Sequence, residues 1–117
     1  MRPDESDLSY LQDMLSAAEA VIRFVEGKTL EDYTADLLLR SAVERQIEII
    51  GEAARKVSTE LKDKHPAIPW DKIIRQRHVL AHDYGEIQHE RIWRVATIHI
   101  PQLIPQLKSL LPRDAGS

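Results

Sequence analysis

The 117-residue sequence contains no cysteine, only four glycines and 5% aromatic residues. Without cysteine the chain forms neither disulfides nor thiolate metal sites, which is typical of a protein of the reducing cytoplasm. The shortage of aromatic residues is unfavourable for a sheet-rich fold, whereas 43% hydrophobic and 30% charged residues suit helices. No apolar run approaches the roughly 18 residues that span a membrane, and the polar start lacks the apolar core of a secretory signal. We therefore expect an all-α, cytoplasmic protein without a membrane segment.

The length predicts a single domain, residues 1–117, that buries about two-thirds of its unfolded surface. The formal net charge of -3 argues against a surface that is basic throughout, as a general nucleic-acid coat would be. Positive charge is nevertheless concentrated at Lys72, Arg75 and Arg77. If the protein handles nucleic acid, we expect Lys72 and Arg75 to contact the substrate there.

The apolar pattern predicts an antiparallel bundle of four or five helices. A first helix, capped by Ser6 or Asp7, carries one apolar stripe and ends at Gly27. Thr29 is a suitable N-cap for a second helix, because two acidic residues follow it in the first turn. The apolar stripe of that second helix predicts one long element that continues to Leu61.

Prolines mark the later boundaries. Two prolines within residues 62–69 predict the one substantial loop, and a third helix begins near Trp70 and ends at Gly85. A fourth helix follows, and Pro101 and Pro105 are expected to kink or divide it.

Three large side chains are expected in the core. Trp70 and Trp93 fall among apolar positions, and His99 lies near the apolar phase of its helix, so we interpret it as a core histidine. The polar end of the chain, residues 112–117, is expected to be a disordered tail.

The stretch Arg75–Tyr84, R-Q-R-H-V-L-A-H-D-Y, concentrates more reactive side chains than any other part of the sequence. Within it, Arg77, His82 and Tyr84 form an R-x4-H-x-Y pattern. An arginine holds a phosphate with a permanently charged fork, and a histidine moves a proton near neutral pH. The pattern therefore indicates phosphodiester chemistry, with Arg77 and His82 as catalytic candidates.

A metal site is the alternative reading of the same stretch. His78 and His82 stand four residues apart, which places both on one face of a helix. A zinc-binding H-E-x-x-H helix has an acid after its first histidine, and Val79 occupies that place. The one adjacent acid, Asp83, would point away from His82 on a helix. We therefore expect no metal and no other cofactor.

Helical geometry constrains how the motif is used. Each residue turns a helix by about 100°, so Arg77 and His82 would point about 140° apart on one regular helix. Either the helix distorts before His82, or the arginine swings round, or a second copy of the chain completes the pocket. We favour the pocket shared by two copies, because two-fold symmetry places two motifs opposite each other. Tyr84, seven residues after Arg77, shares its helical face.

Four segments of the sequence resemble the HepT-like toxins of the HEPN superfamily of prokaryotic ribonucleases. They are S-Y-L-Q-D-M-L near the start, A-V-E-R-Q-I-E-I-I-G-E-A-A at 42–54, H-P-A-I-P-W at 65–70 and R-H-V-L-A-H-D-Y at 77–84. The last segment resembles the active-site motif of the family, in which Arg77, His82 and Tyr84 match the arginine, histidine and tyrosine. The polar position after the arginine is commonly asparagine, and here it is His78, which we include among the catalytic candidates.

The resemblance implies an all-α HEPN bundle with metal-independent endoribonuclease activity. It also implies a homodimer with the cleft between subunits, and a minimal nucleotidyltransferase antitoxin, of the MntA type, as the partner. The antitoxins of this family are described as transferring AMP to the motif tyrosine, which corresponds to Tyr84. The alternative is a non-catalytic HEPN module that binds and assists a nucleotidyltransferase, and the departure at His78 is the sequence feature that favours it.

Overall fold

The computed structural model describes the backbone of residues 4–82 and 86–112, and the side chains of residues 4–76 and 89–112. The helices are α1 (Glu5–Val25), α2 (Leu30–Ala35), α3 (Leu37–Lys56), α4 (Thr59–Lys64), α5 (Trp70–His82), α6 (Glu86–Arg94) and α7 (Ile100–Leu110), with a π-helical turn at Val95–His99. The described backbone contains no β-strand, which confirms the predicted all-α fold. Gly85 and residues 113–117 lie outside the described residues.

Helix α3 lies at the centre of the bundle. It packs against α1 on one side and α5 on the other, while α7 packs against α1 and α6 packs against α2. The core is aliphatic, with one aromatic residue of α2 completely buried in it. Its largest fully buried side chains are Leu11, Met14, Val21, Tyr33, Val43, Ile92 and Leu107. Burying such a side chain stabilises the fold by roughly 1.5–3 kcal/mol relative to leaving it in water. No helix in the described ranges has the length and apolar character needed to cross a membrane.

The first helix begins earlier than predicted. Asp4 caps α1, since its carboxylate accepts from the backbone amide of Asp7 at 2.8 Å. The predicted cap at Ser6 or Asp7 is therefore wrong. Asp7 is instead buried and accepts two hydrogen bonds from Ser58, one from its backbone amide at 2.8 Å and one from its hydroxyl at 2.6 Å. These bonds join the start of α1 to the turn between α3 and α4.

The predicted second helix, which continued to Leu61, is divided among three helices, α2, α3 and the start of α4. Thr29 caps α2 as expected, in a reciprocal capping box with Asp32. The chain then becomes extended at Asp36, whose side chain accepts from the amide of Leu39 and begins α3. The prediction of one uninterrupted helix was wrong because the short carboxylate of Asp36 caps a new helix in place of continuing the old one.

The predicted loop at residues 62–69 is shorter than expected. Ser58 caps α4, since its hydroxyl accepts from the amide of Leu61 at 3.2 Å, and α4 takes up the first part of the segment. Only residues 65–69 remain as a connection, and Trp70 then begins α5, as predicted.

The prolines near the C-terminal end act differently from the prediction. The interruption is the π-helical turn Val95–His99, which precedes Pro101, and Pro105 is accommodated inside α7. His99 is exposed, so its assignment to the core was wrong. Trp70 is buried in the core as predicted, whereas Trp93 is half-buried and packs against the core.

We predict that Asp7→Ala destabilises the protein by roughly 1–3 kcal/mol, because it leaves the partly buried amide and hydroxyl of Ser58 without the carboxylate that accepts from both. Urea unfolding followed by circular dichroism measures this change. Asp13→Ala, an exposed aspartate on the same helix, is the matched control and should shift stability by no more than about 0.5 kcal/mol. Equal losses in the two variants would contradict a structural role for the Asp7 hydrogen bonds.

Candidate functional site

Helix α5 carries most of the R-x4-H-x-Y motif, and the beginning of the helix is firmly anchored. Trp70 is buried, and its indole nitrogen donates to the carbonyl oxygen of His65 at 3.0 Å. The amide of Ile73 donates to the carbonyl of Pro69 at 3.0 Å. Ile73 and Ile74 then pack against the core. The apolar side of this first turn therefore fixes where the following residues emerge.

The backbone of α5 is α-helical without interruption as far as His82. The distortion before His82 that the sequence left open is therefore absent. On such a helix the Cα positions of Arg77 and His82 are about 140° apart around the axis, and those of His78 and His82 about 40° apart. The side chains of these three residues, and the whole of Tyr84, lie outside the described residues. Their catalytic and modification roles stay predictions.

Two basic residues precede the motif on the same helix. Lys72 and Arg75 are exposed, and neither forms an ion pair with another described residue. Arg75 lies seven residues before His82, which places it about 20° from that histidine around the helix axis, and Lys72 is about 80° away. Both therefore lie on the side of α5 that carries His82, where an anionic substrate would meet them.

Metal binding gains no support from the described side chains. Within residues 4–76 and 89–112, no group of three or more histidine, cysteine, aspartate or glutamate side chains is placed to hold a metal ion. The pair His78 and His82 lies between those ranges.

A second group of polar and aromatic side chains lies where α6 leaves the motif region. Tyr33 of α2 is completely buried, and its ring contacts His89 edge-on, with centroids 6.4 Å apart, and Trp93 at 5.4 Å. Within the described residues, the hydroxyl of Tyr33 and Nδ1 of His89 are buried without a hydrogen-bond partner. Arg40 donates to the carbonyls of Tyr33 and Thr34. The group thus packs α6 against α2, while Arg40 joins α3 to α2.

Burial dominates the electrostatics of this group. It raises the pKa of the Tyr33 hydroxyl well above the usual range, so this tyrosine stays neutral. Burial also raises the pKa of the Glu44 carboxyl above its ordinary 4.5, with a smaller contribution from Glu48. The charges of His89 and Arg40 oppose that rise in the pKa of Glu44.

Sequence reasoning missed this group. Its signal was present in the spacing of His89 and Trp93, which stand four residues apart and so share a face of α6. What the sequence could not show was that Tyr33, more than fifty residues away, packs against both rings.

Comparison with known protein families identifies the class of protein. The family described as Ribonuclease HepT-like matches residues 14–110, which is most of the chain. The chain therefore belongs to the HepT-like ribonuclease family, and the resemblance inferred from its motifs is confirmed.

Individual relatives agree with this assignment. Putative RNase TTE0752 of Caldanaerobacter subterraneus subsp. tengcongensis is 35% identical over 105 residues, which make up 90% of this chain and 94% of that protein. Probable ribonuclease HepT of Thermococcus cleftensis is 33% identical over 90% of this chain and 96% of its own. Putative RNase MJ1380 of Methanocaldococcus jannaschii is 30% identical over 81% of this chain and 87% of its own. No solved structure gives a significant match.

We predict that Glu44→Gln changes how stability depends on pH. A carboxyl whose pKa is raised on folding holds its proton longer in the folded state, so the native protein loses stability as pH rises from about 4.5 through the raised pKa. Glutamine does not titrate, and the stability of the variant relative to the native protein should therefore increase across that interval. Urea unfolding at a series of pH values from 4 to about 8 measures the difference.

Glu26→Gln is the control for this prediction, because Glu26 is exposed at the end of α1. A flat or falling difference for Glu44→Gln would show that the burial of Glu44 has no energetic consequence.

Proposed function

We propose that this protein is a metal-independent endoribonuclease, the toxin of a prokaryotic toxin-antitoxin system, which cleaves RNA through its R-x4-H-x-Y motif. Membership of the HepT-like ribonuclease family supports the reaction class. The observation that carries the proposal is the unbroken helix α5, which presents the positions of Arg77 and His82 together with the exposed Lys72 and Arg75. RNA is the expected substrate.

The proposed chemistry needs only side chains and the substrate. RNA supplies its own nucleophile, the 2′-hydroxyl, so a metal is not needed to generate one. His82 removes the 2′-hydroxyl proton as the oxygen attacks phosphorus and forms a 2′,3′-cyclic phosphate. The bond from phosphorus to the 5′-oxygen breaks, and the departing oxygen takes a proton from water or from His78 to become a 5′-hydroxyl. Arg77 stabilises the charge that builds up on the phosphate oxygens. His78 contacts a phosphate oxygen or serves as a second acid or base, and Lys72 and Arg75 hold neighbouring phosphates.

We propose that the active form is a homodimer with a cleft between subunits. On the continuous α5, the positions of Arg77 and His82 face directions about 140° apart, which is awkward for two groups that act on one phosphate. A two-fold axis near the motif brings the arginine of one subunit to the histidine of the other. Each dimer then has two equivalent shared sites.

This arrangement predicts complementation between two inactive proteins. Arg77→Ala and His82→Ala should each abolish RNA cleavage while leaving the melting temperature nearly unchanged. Random exchange of subunits makes half of the dimers mixed, and each mixed dimer has one intact shared site out of two, so cleavage should return to about a quarter of the native rate. The measurement is cleavage of a fluorescent RNA after the two proteins are co-refolded.

Two controls sharpen the experiment. Each mutant co-refolded with itself should remain inactive, and sedimentation should report a dimer in every sample. If the mixture stays inactive although mixed dimers form, both residues act within one subunit and the shared cleft is wrong.

Cleavage should also persist in EDTA, whereas its loss with rescue by zinc would favour a metal site at His78 and His82.

The partner that we propose is a minimal nucleotidyltransferase antitoxin, which neutralises the toxin by attaching AMP to Tyr84. Tyr84 lies seven residues after Arg77 in the sequence, two turns of helix later if the helix continued. An attached phosphate beside Arg77 would pair with its guanidinium and occupy the place of the RNA phosphate. Cleavage would then stop without any refolding.

We predict that Tyr84→Phe folds and dimerises normally but escapes neutralisation. Intact mass of the native protein co-expressed with a nucleotidyltransferase encoded beside it should increase by one or more AMP groups, and peptide mapping should place them on Tyr84. The phenylalanine variant should show no added mass and should keep inhibiting growth. A fully neutralised toxin with unmodified Tyr84 would show that the partner acts by steric capture.

A further inference from the structure

Two neighbouring leucines are exposed where α2 meets α3. Leu37 is 67% exposed and Leu38 is 79% exposed, and among the large hydrophobic side chains of the described residues only Ile98 is exposed as well. Their exposure follows from the cap at Asp36, because the new helix turns Leu39 into the core and leaves the two residues before it on other faces. Single exposed leucines are common, whereas adjacent ones form an apolar patch that requires an explanation.

The surface around these leucines has a fixed shape. Thr34 and Ala35, which precede the cap, are exposed and extend the patch with methyl groups. Arg40 donates from its guanidinium to the carbonyl oxygens of Tyr33 and Thr34, which ties the first turn of α3 to the end of α2. We call the exposed surface of residues 34–38 the leucine corner. A partner meets it already formed, so little ordering is needed on binding.

The charge around the leucine corner is negative. Residues 30–38 contain Glu31, Asp32 and Asp36, all exposed, and no lysine or arginine. Asp32 and Asp36 cap helices, which leaves their negative charge in place. None of the three acids forms an ion pair with another described residue. Arg40, the first base of α3, already donates to two carbonyls. A positively charged partner is therefore favoured here.

We propose that the leucine corner docks a protein partner through a segment that presents apolar side chains flanked by lysine or arginine. Covering Leu37 and Leu38 removes apolar surface from water, which supplies the driving force. Basic flanks complement the three carboxylates and align the segment on the patch. Nucleic acids and membrane surfaces are themselves anionic, so the acids repel them.

A second copy of this chain is a poor occupant of the leucine corner. A two-fold axis through the corner would oppose Glu31, Asp32 and Asp36 to their own counterparts, and opposed like charges are unfavourable. Lys72 and Arg75 of another copy have the right charge, but that contact joins two different surfaces and generates rings or open filaments. The occupant is therefore a different protein, and the homodimer proposed above uses another surface.

The position of the leucine corner relates docking to the motif. Helix α2 packs against α6, with the ring of Tyr33 contacting His89 and Trp93. Helix α6 begins at Glu86, two residues after Tyr84 in the sequence. A partner held at the corner therefore lies against the helix that packs on α6. That this partner is the nucleotidyltransferase rests on the proposed function, whereas the docking surface does not.

Titration with a synthetic peptide tests the docking surface in the absence of RNA. The probe is a peptide of about 15 residues, long enough to form a helix, with leucines on one face and lysines beside them. We expect saturable one-to-one binding and shifts of the Leu37 and Leu38 methyl resonances in nuclear magnetic resonance spectra. Raising NaCl from about 50 to 500 mM should weaken binding, because salt screens exposed charges. A peptide with glutamate in place of each lysine should not bind.

Substitutions at the leucine corner separate the apolar contribution from the charge. Leu37→Ser combined with Leu38→Ser should keep the native melting temperature, because both side chains are exposed, and weaken peptide binding at least about tenfold. Ile98→Ser is the matched control on the π-helical turn and should bind normally. Glu31→Lys should also weaken binding, whereas Asp63→Lys, which reverses an exposed charge on α4, should not.

Several results would overturn the proposal. They are the absence of saturable binding to the native protein, an unchanged affinity in the double leucine variant, and equal binding of the glutamate peptide. Shifts of the Leu37 and Leu38 resonances on addition of RNA would assign the corner to nucleic acid instead. Dissociation of the double leucine variant into monomers during sedimentation would assign it to the homodimer interface.

RNA cleavage distinguishes this proposal from the proposed function. The double leucine variant should cleave RNA at the native rate, because the leucine corner lies outside the motif. A native protein that binds the lysine peptide at Leu37 and Leu38 but does not cleave RNA would leave the docking surface standing and show that the proposed ribonuclease activity is wrong.

Discussion

The packing of α3 between α1 and α5 is the interaction on which the rest of the structure depends. The stripe Val43, Ile47 and Ile50 is buried on this helix, and small residues follow it at Gly51, Ala53 and Ala54. Side chains this small let neighbouring helices approach closely, and the apolar area removed from water supplies the main driving force for folding. Because α5 rests on α3, the position of the motif helix is set by the core and not by its own exposed residues.

Most of the architecture followed from apolar spacing and from the residues that end helices. The stripe on α1, the capping box at Thr29 and the start of α5 at Trp70 are local features, so their chemistry is complete in a few neighbouring residues. The errors arose where a single short polar side chain capped a new helix inside a segment whose apolar pattern predicted another structure. Asp36 ended one helix and began another, and Ser58 began α4 within the predicted second helix, so that α4 runs on into the segment predicted as a loop. Both choices depend on hydrogen bonds that a hydrophobic pattern does not encode.

The candidate site was found from the sequence because its residues are close together in the chain. Arg77 and His82 are five residues apart, and their chemistry follows from their side chains. The group around Tyr33, Glu44 and His89 was not found, since three separate helices contribute to it. Groups of side chains that tertiary packing brings together could therefore be recognised only from the structure, whereas those within one helix could be recognised from the sequence.

The π-helical turn Val95–His99 sets which face of α7 meets the core. A π turn holds one residue more than the α turn that it replaces, and the amide of Ile100 accordingly donates to the carbonyl of Val95, five residues earlier. One additional residue rotates everything downstream by about 100° around the helix axis. The buried positions Leu103 and Leu107 are therefore in phase with the core only because the turn is wider. Deleting or inserting one residue here would turn Leu103 and Leu107 away from the core, so the length of this segment and the apolar pattern of α7 are coupled.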